Sequence, residues 1–139
     1  MELARSLHSD LTSGEVAKAR DTLGTIVYDR QVMVSGDKES RRARYIQART
    51  DYFTLLWCFE RIWAGRKTII ADDHALTSGV ARQYLDQIIR WHVFTWAKDL
   101  PTVKRILESE LGKLEDTQSS IAFKSLCDDV LTAEQRAEI

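Results

Sequence analysis

The sequence predicts an all-α fold, a single-domain bundle of about five to six helices around one central apolar helix. Only one proline and six glycines interrupt the chain, which favours long helices. Apolar residues recur with the helical period of about 3.6 residues through most of the sequence. The 139 residues, of which 44% are hydrophobic and 29% charged, suit one globular domain. Residues 1–139 are therefore expected to form one unit, whose tail frays after about residue 131.

The first helices are predicted from short apolar repeats. Leu3 and Leu7 are four residues apart, which favours a short helix at the start of the chain. Thr12 or Ser13 then caps a second helix, because a side-chain oxygen at this position accepts a bond from an early backbone N–H. Residues 35–37, with the sequence Ser-Gly-Asp, are predicted to form the first clear loop.

The central helix is predicted from about Glu39 to Ala64, and Gly65 suits the position just beyond a helix C-terminus. Its apolar residues form two adjacent stripes, which together cover more than half of the circumference. The first stripe contains Tyr45, Ala48, Tyr52, Leu55, Leu56, Phe59, Ile62 and Trp63. The second stripe contains Ile46, Phe53 and Trp57. So wide an apolar surface is typical of a helix at the centre of a bundle, or of one that presents a stripe to a partner.

The second half of the chain is predicted to contain a linker, two helices and a tail. Residues 68–70 are interpreted as a linker to a long helix that ends near Lys98. Pro101 suits the first turn of another helix, where its missing N–H costs nothing. Two short amphipathic pieces follow, at about residues 118–130 and 133–139.

Two polar residues fall inside apolar stripes. Glu60 lies between Leu56 and Phe53 on the wheel of the central helix, and His92 lies within the stripe of the next long helix. Because an unpaired buried carboxylate is costly, we predict that Glu60 and His92 form a buried polar pair across the core. A carboxylate that orients an imidazole is also the beginning of acid–base machinery. No nucleophile or phosphate loop accompanies the pair, so no catalytic residue is assigned and the sequence favours a non-enzymatic protein.

The sequence contains no motif for a metal ion or another cofactor. Asp72, Asp73 and His74 are possible ligand types, but adjacent helical positions point apart, and acids at a helix start explain the aspartates. Cys58 and Cys127 form no CxxC pair and are interpreted as reduced thiols. The chain shows neither a signal peptide nor about 18 successive apolar residues, which predicts a cytoplasmic protein that does not enter a membrane.

A basic patch begins the central helix, with five cations against one acid. Its members are Lys38, Arg41, Arg42, Arg44 and Arg49. Cations near a helix N-terminus oppose the helix dipole, so either phosphate contacts or local ion pairs are needed to explain them. The formal net charge is −1, so any nucleic-acid binding is expected to be weak and strongly salt-dependent.

Three segments carry a resemblance to a known group. They read SGEVAKARDTLG, DYFTLLWCFERIWAGRKTI and LDQIIRWHVFTWAKDLPTVKRIL, within about residues 12–110. Their hydrophobic spacing resembles that of small helical bacterial proteins of uncharacterised function, in which a tryptophan-bearing helix follows a hydrophobic helix that ends near a glycine. The resemblance implies a helical fold and a bacterial source, and it implies no catalytic residue.

These observations favour a helical protein–protein interaction module that is oligomeric or bound to a partner protein. Aromatic residues are enriched at interfaces, which makes the large rings of the two long helices the interface candidates. These candidates are Phe53, Trp57, Trp63, Trp91 and Trp96. The alternatives are nucleic-acid binding through residues 38–49, and a small-ligand pocket or enzyme that uses Glu60 and His92.

Overall fold

The computed structural model describes residues 2–76, 79–115 and 117–139, and the side chains of these ranges except those of residues 73–76. Every regular element within these ranges is a helix. The helices are α1 (Glu2–Thr12), α2 (Gly14–Tyr28), α3 (Gln31–Val34), α4 (Lys38–Leu76), α5 (Val80–Leu111), α6 (Thr117–Val130) and α7 (Ala133–Ala137). The predicted all-α, single-domain fold is confirmed. The seven helices of the described ranges include α3, a four-residue helix that the sequence analysis missed.

The central helix α4 is longer than predicted, with 39 residues. The predicted end near Ala64 is wrong, since the supposed linker 68–70 and Asp72 also lie within the helix. Gly65 lies inside α4, at the point where α4 contacts α1. A Cβ atom added to it would lie 2.6 Å from Leu7 Cδ1 of α1, so glycine allows the two helices to approach closely.

Helix α5 continues through Pro101, so the predicted division into two helices is also wrong. Pro101 has no N–H with which to bond the carbonyl of Ala97, one turn earlier. Buried apolar residues lie on both sides of this gap, including Leu100, Val103 and Leu107. We attribute the continuity of α5 to their packing, since tertiary burial can outweigh one missing helical hydrogen bond.

The core is built around α4, which packs against α1, α2, α3, α5 and α6. The first predicted stripe faces this core, and Leu55, Phe59 and Ile62 are fully buried. The central position predicted for this helix is therefore confirmed for the first stripe. The second stripe lies beside the first, and its members are exposed or half-buried.

The tail after residue 131 forms α7, which begins with a capping box. Gln135 N–H donates to the hydroxyl of Thr132, and Thr132 N–H donates to the side chain of Gln135. Arg136 then donates to the backbone carbonyl of Asp128 at 2.8 Å, which ties α7 to the end of α6.

Candidate functional site

Glu60 and His92 have different partners. Glu60 lies on the side of α4 that meets α6, where its carboxylate accepts a hydrogen bond from the hydroxyl of Ser119. His92 instead faces α2, and Nη1 of Arg20 lies 3.4 Å from its Nδ1. Within the described part of the chain, no hydrogen bond joins Glu60 to His92. The predicted pair is thus replaced by two separate contacts, because α6 and α2 cover the two sides of the α4–α5 core.

Three basic side chains meet where α1, α2 and α5 converge. The rings of His92 and His8 have centroids 6.0 Å apart, and Arg20 approaches His92 from α2. Burial lowers the pKa of His92 from 6.5 to about 4, and the charges of Arg20 and His8 act in the same direction. The geometry has Arg20 donating to Nδ1 of a neutral ring. This cluster favours an uncharged His92 and gives the fold a sensitivity to acid.

His92 should make the stability of the fold depend on pH. His92 is protonated in the unfolded chain below its ordinary pKa, whereas the folded protein resists protonation until about pH 4. The stability that it contributes is complete above pH 6.5 and is lost as the pH falls towards 4. We expect His92 to lower the free energy of unfolding by about 1 kcal/mol at pH 5 relative to pH 7.5. The effect is no larger because His92 is partly exposed, and solvent screens its interactions.

Urea denaturation of the wild type and of His92→Gln at both pH values measures this effect. Subtracting the pH dependence of the variant from that of the wild type removes the contribution of other titrating groups. Arg20→Met supplies a second comparison. It should reduce the pH dependence, since it removes one of the charges that disfavour protonated His92. Equal pH slopes for the wild type and His92→Gln would show that the histidine is not the responsible group.

A buried ion-pair cluster joins α4, α5 and α6. Arg66 is 7% exposed and Asp86 is 3% exposed. Arg66 donates to both carboxylate oxygens of Asp86, at 2.9 and 3.1 Å, and also reaches Asp129 at 3.4 Å. Arg82 donates to the same Asp86 from one turn earlier, at 3.1 Å. Because planar double contacts between arginine and carboxylate are strong and directional, the cluster fixes the relative positions of three helices.

The sequence analysis missed this cluster, although a signal for it exists. Arg66 lies four residues after Ile62 and seven after Phe59, so it continues the first apolar stripe. Because the central helix was predicted to end near Ala64, Arg66 was placed outside it. Asp86 likewise precedes Ile89 by three residues and Val93 by seven, so it lies in an apolar stripe of the predicted long helix. Charged residues inside two apolar stripes would have suggested a buried ion pair between the helices.

Part of the basic patch is committed to contacts within the chain. Arg41 forms an ion pair with Glu110 of α5, with 3.1 Å between Nη2 and Oε2. Arg44 donates to the backbone carbonyl of Ser35, in the loop before α4. These two arginines therefore secure the beginning of α4 to neighbouring segments, which explains their position without an external phosphate.

The remaining cations of the patch are differently placed. Lys38 and Arg42 are exposed, and Arg49 is half-buried. The described residues offer these three side chains neither an ion pair nor a side-chain hydrogen bond. Arg42 precedes Ile46 by four residues, and Arg49 precedes Phe53 by four, so both arginines border the second stripe on the helix surface.

The five aromatic interface candidates do not share one surface. Trp96 is buried at 5% exposure, and Trp63 is half-buried with Nζ of Lys67 3.4 Å from its ring centroid. Trp91 is 65% exposed on α5, where its ring meets the edge of His92. Phe53 and Trp57 lie together on α4. Only these last two combine exposure with a neighbouring large ring from the candidate set.

We call Ile46, Phe53 and Trp57 the outer stripe. Ile46 is 38% exposed, Trp57 is 48% exposed, and Phe53 is half-buried. The rings of Phe53 and Trp57 are stacked, with centroids 5.7 Å apart and an angle of 25° between their planes. The chain therefore covers the first stripe of α4 and leaves much of the second open to solvent.

No helix within the described ranges is both long and apolar enough to cross a bilayer. No group of three or more His, Cys, Asp or Glu side chains in those ranges is placed to hold a metal ion. The side chains of Asp73 and His74, considered above as ligand types, lie outside the described residues.

Comparison with known proteins gives no match, whether to a family model, to a curated protein or to a solved structure. The resemblance to small helical bacterial proteins therefore remains a prediction from hydrophobic spacing.

Proposed function

We propose that this chain is a non-enzymatic protein–protein interaction module, and that its docking surface is the outer stripe of α4. The observation that carries the proposal is the stacked pair of Phe53 and Trp57, in which Trp57 is 48% exposed and Phe53 is half-buried. Large rings held rigidly at a surface lose little conformational entropy on binding, and tryptophan is enriched among the residues that dominate interface energies.

Charge around the outer stripe supports a particular kind of partner. Arg42, Arg49 and Arg61 each lie four residues from a member of the stripe. Two acids share this face with them: Glu39, seven residues before Ile46, and Glu60, whose carboxylate accepts a hydrogen bond from Ser119. An apolar stripe with cationic borders complements an amphipathic helix whose apolar face has acidic borders. The proposed partner is therefore a helix of another protein with glutamate or aspartate beside its apolar residues.

Self-association through this surface is less favourable. Two copies that paired their outer stripes would bring Arg42, Arg49 and Arg61 of each chain close to those of the other. Like charges placed together at an interface cost free energy and suppress pairing. A heterotypic partner satisfies the same surface with opposite charge.

A second candidate, nucleic-acid binding, is supported by the same arginines. Exposed rings beside cations are the combination that binds single-stranded nucleic acid, through stacking and phosphate contacts. The intrachain contacts of Arg41 and Arg44 leave this surface fewer cations than the sequence suggested. We therefore place nucleic acid second and make it an outcome of the binding experiment.

A cytoplasmic, bacterial setting belongs to the same proposal. Cys58 and Cys127 are both free thiols, and both are buried. Unpaired cysteines are typical of proteins kept in reducing compartments. The bacterial source rests on the resemblance described above.

The test uses a synthetic helical peptide with a leucine and phenylalanine stripe bordered by glutamates. We expect it to bind the wild type, and Trp57→Ser to weaken binding by more than about tenfold, because truncated interface tryptophans commonly cost 2 kcal/mol or more. Trp91→Gln is the matched control, since it removes an exposed tryptophan from another helix. Isothermal titration calorimetry measures both affinities.

Three results would oppose the proposal. The first is equal binding by a peptide with lysines in place of the glutamates. The second is tighter binding of a single-stranded oligonucleotide, lost in Arg42→Ala with Arg49→Ala, which would favour nucleic acid. The third is a wild-type dimer in light scattering that Trp57→Ser dissociates, which would identify a second copy as the partner.

A further inference from the structure

A second surface feature, separate from the outer stripe, is a groove of about 530 Å³ between α5 and α6. Tyr52 and Leu56 of α4 form its floor, and Leu100 and Phe123 line it from the two flanking helices. Tyr52, Leu56 and Leu100 are each 5% exposed or less. The groove is thus an apolar recess with a buried floor, within the size range of small-ligand sites.

Small side chains explain why this space is open. Ala97 of α5 and Ser120 and Cys127 of α6 line the groove at positions where larger residues would fill it. Clefts of this size that combine an apolar lining with a few polar groups are typical of small-ligand sites. Pro101 lies on the same wall, one turn after Ala97.

The charged lining of the groove has one dominant sign. Among the described side chains that line it, Lys104, Lys124 and Arg136 are cations and Asp128 is an acid. Lys124 and Arg136 are exposed and Lys104 is half-buried, so the charges lie at the mouth while the apolar side chains lie below. The backbone carbonyl of Asp128 accepts the 2.8 Å bond that positions Arg136.

A smaller recess of about 350 Å³ adjoins the groove at Lys104 and Ser120, which line both. Lys113, Thr117 and Glu115 also line this recess. The apolar floor of the groove therefore gives way at Lys104 to a polar recess, in which Lys113 pairs with Glu115 at 4.0 Å and Lys104 has no such acidic partner in the part of the chain that the structure describes. Such a gradient matches a ligand with an apolar body and a negatively charged end.

From this arrangement we infer that the groove binds a single-chain anionic amphiphile, with its hydrocarbon chain against Leu56, Leu100 and Phe123 and its anionic head beside Lys104. Burial of the chain supplies affinity in proportion to the apolar area removed from water. The cations supply orientation and exclude amphiphiles with a positive head. The shared chemistry is that of fatty carboxylates and alkyl phosphates.

The experiment measures decanoate binding to the full chain by isothermal titration calorimetry below the micelle concentration. We expect decanoate to bind at least about tenfold more tightly than decyltrimethylammonium, which has the same chain and the opposite charge. Lys104→Glu should weaken decanoate binding by at least about tenfold. Lys18→Glu, an exposed charge reversal on α2, is the matched control and should leave the affinity unchanged. Decyl phosphate in parallel decides which anionic head is preferred.

Ala97→Met tests the apolar part of the site, because the longer side chain extends into the groove. It should abolish binding of decanoate, while circular dichroism and thermal unfolding verify that the variant is folded. If Ala97→Met does not fold, Lys104→Glu still decides the question, since Lys104 is outside the buried core.

Absence of decanoate binding, equal binding of decyltrimethylammonium, or unchanged affinity in Lys104→Glu would each overturn the inference. A wild-type dimer that Ala97→Met dissociates would show that a second copy fills the groove, and would also overturn it. Trp57→Ser should retain decanoate binding, so the failure of this inference and the failure of the proposed docking surface are distinguishable.

Discussion

Replacing Asp86 with alanine is expected to lower the free energy of unfolding by about 3–5 kcal/mol. Asp86 is 3% exposed and accepts two hydrogen bonds from Arg66, at 2.9 and 3.1 Å. Without this carboxylate, the guanidinium of Arg66 stays buried with Asp129 alone at 3.4 Å, and Asp129 is exposed. A buried charge that loses its main partner bears an uncompensated desolvation cost. Urea denaturation followed by circular dichroism measures the effect.

Two variants separate this explanation from a general loss of packing. The double replacement Arg66→Met with Asp86→Leu removes both charges and keeps apolar volume, so it should recover most of the loss. The exposed pair of Arg41 and Glu110 supplies the surface control, and Arg41→Ala should cost less than about 1 kcal/mol. If Asp86→Ala cost no more than Arg41→Ala, the cluster would not be holding the three helices together.

The second large effect is expected at Gly65, where leucine should lower the free energy of unfolding by about 1–3 kcal/mol. A Cβ atom at this position would lie 2.6 Å from Cδ1 and 3.3 Å from Cγ of Leu7. Leu7 is 6% exposed, so relieving the clash requires α1 and α4 to separate or Leu7 to leave a well-packed rotamer. Thermal unfolding and urea denaturation measure the loss.

Gly24, inside α2, is the matched control for Gly65. A Cβ atom there meets nothing within 4 Å, so Gly24→Ala should gain about 0.5–1 kcal/mol from helix propensity. Leu7→Ala in the Gly65→Leu background should restore part of the loss, and a double-mutant cycle isolates that coupling. Additive effects of the two replacements would show that the leucine at position 65 does not meet Leu7.

The fold class was accessible from the sequence because periodicity and the scarcity of helix breakers act over many residues. The burial of Leu55, Phe59 and Ile62 followed from their spacing alone, since a continuous stripe has to face other helices. Helix ends were less accessible. Gly65 and Pro101 both read locally as boundaries, yet both lie inside helices, because packing of residues on either side outweighs a local preference.

The partners of the buried polar residues could not be predicted from the sequence either. The sequence singled out Glu60 and His92 as polar residues in apolar stripes, and each does have a polar partner. It did not identify Ser119 or Arg20 as those partners, since which helix covers which side of α4 depends on the packing of the whole bundle. The groove beneath Lys104 was likewise absent from the sequence analysis, because it arises from small residues on different helices that share no motif.

The two cysteines can report on opening motions at two different places in the protein. Burial raises the pKa of Cys58 to about 11 and that of Cys127 to about 12. Since thiolates are the reactive form, both thiols should react slowly with alkylating reagents, and Cys58, which is fully buried, also requires the surrounding structure to open first. Cys58 is fully buried in the core, whereas Cys127 of α6 is 8% exposed and lines the groove. Labelling of Cys58 therefore reports opening of the core, and comparison with Cys127 separates that opening from access through the groove.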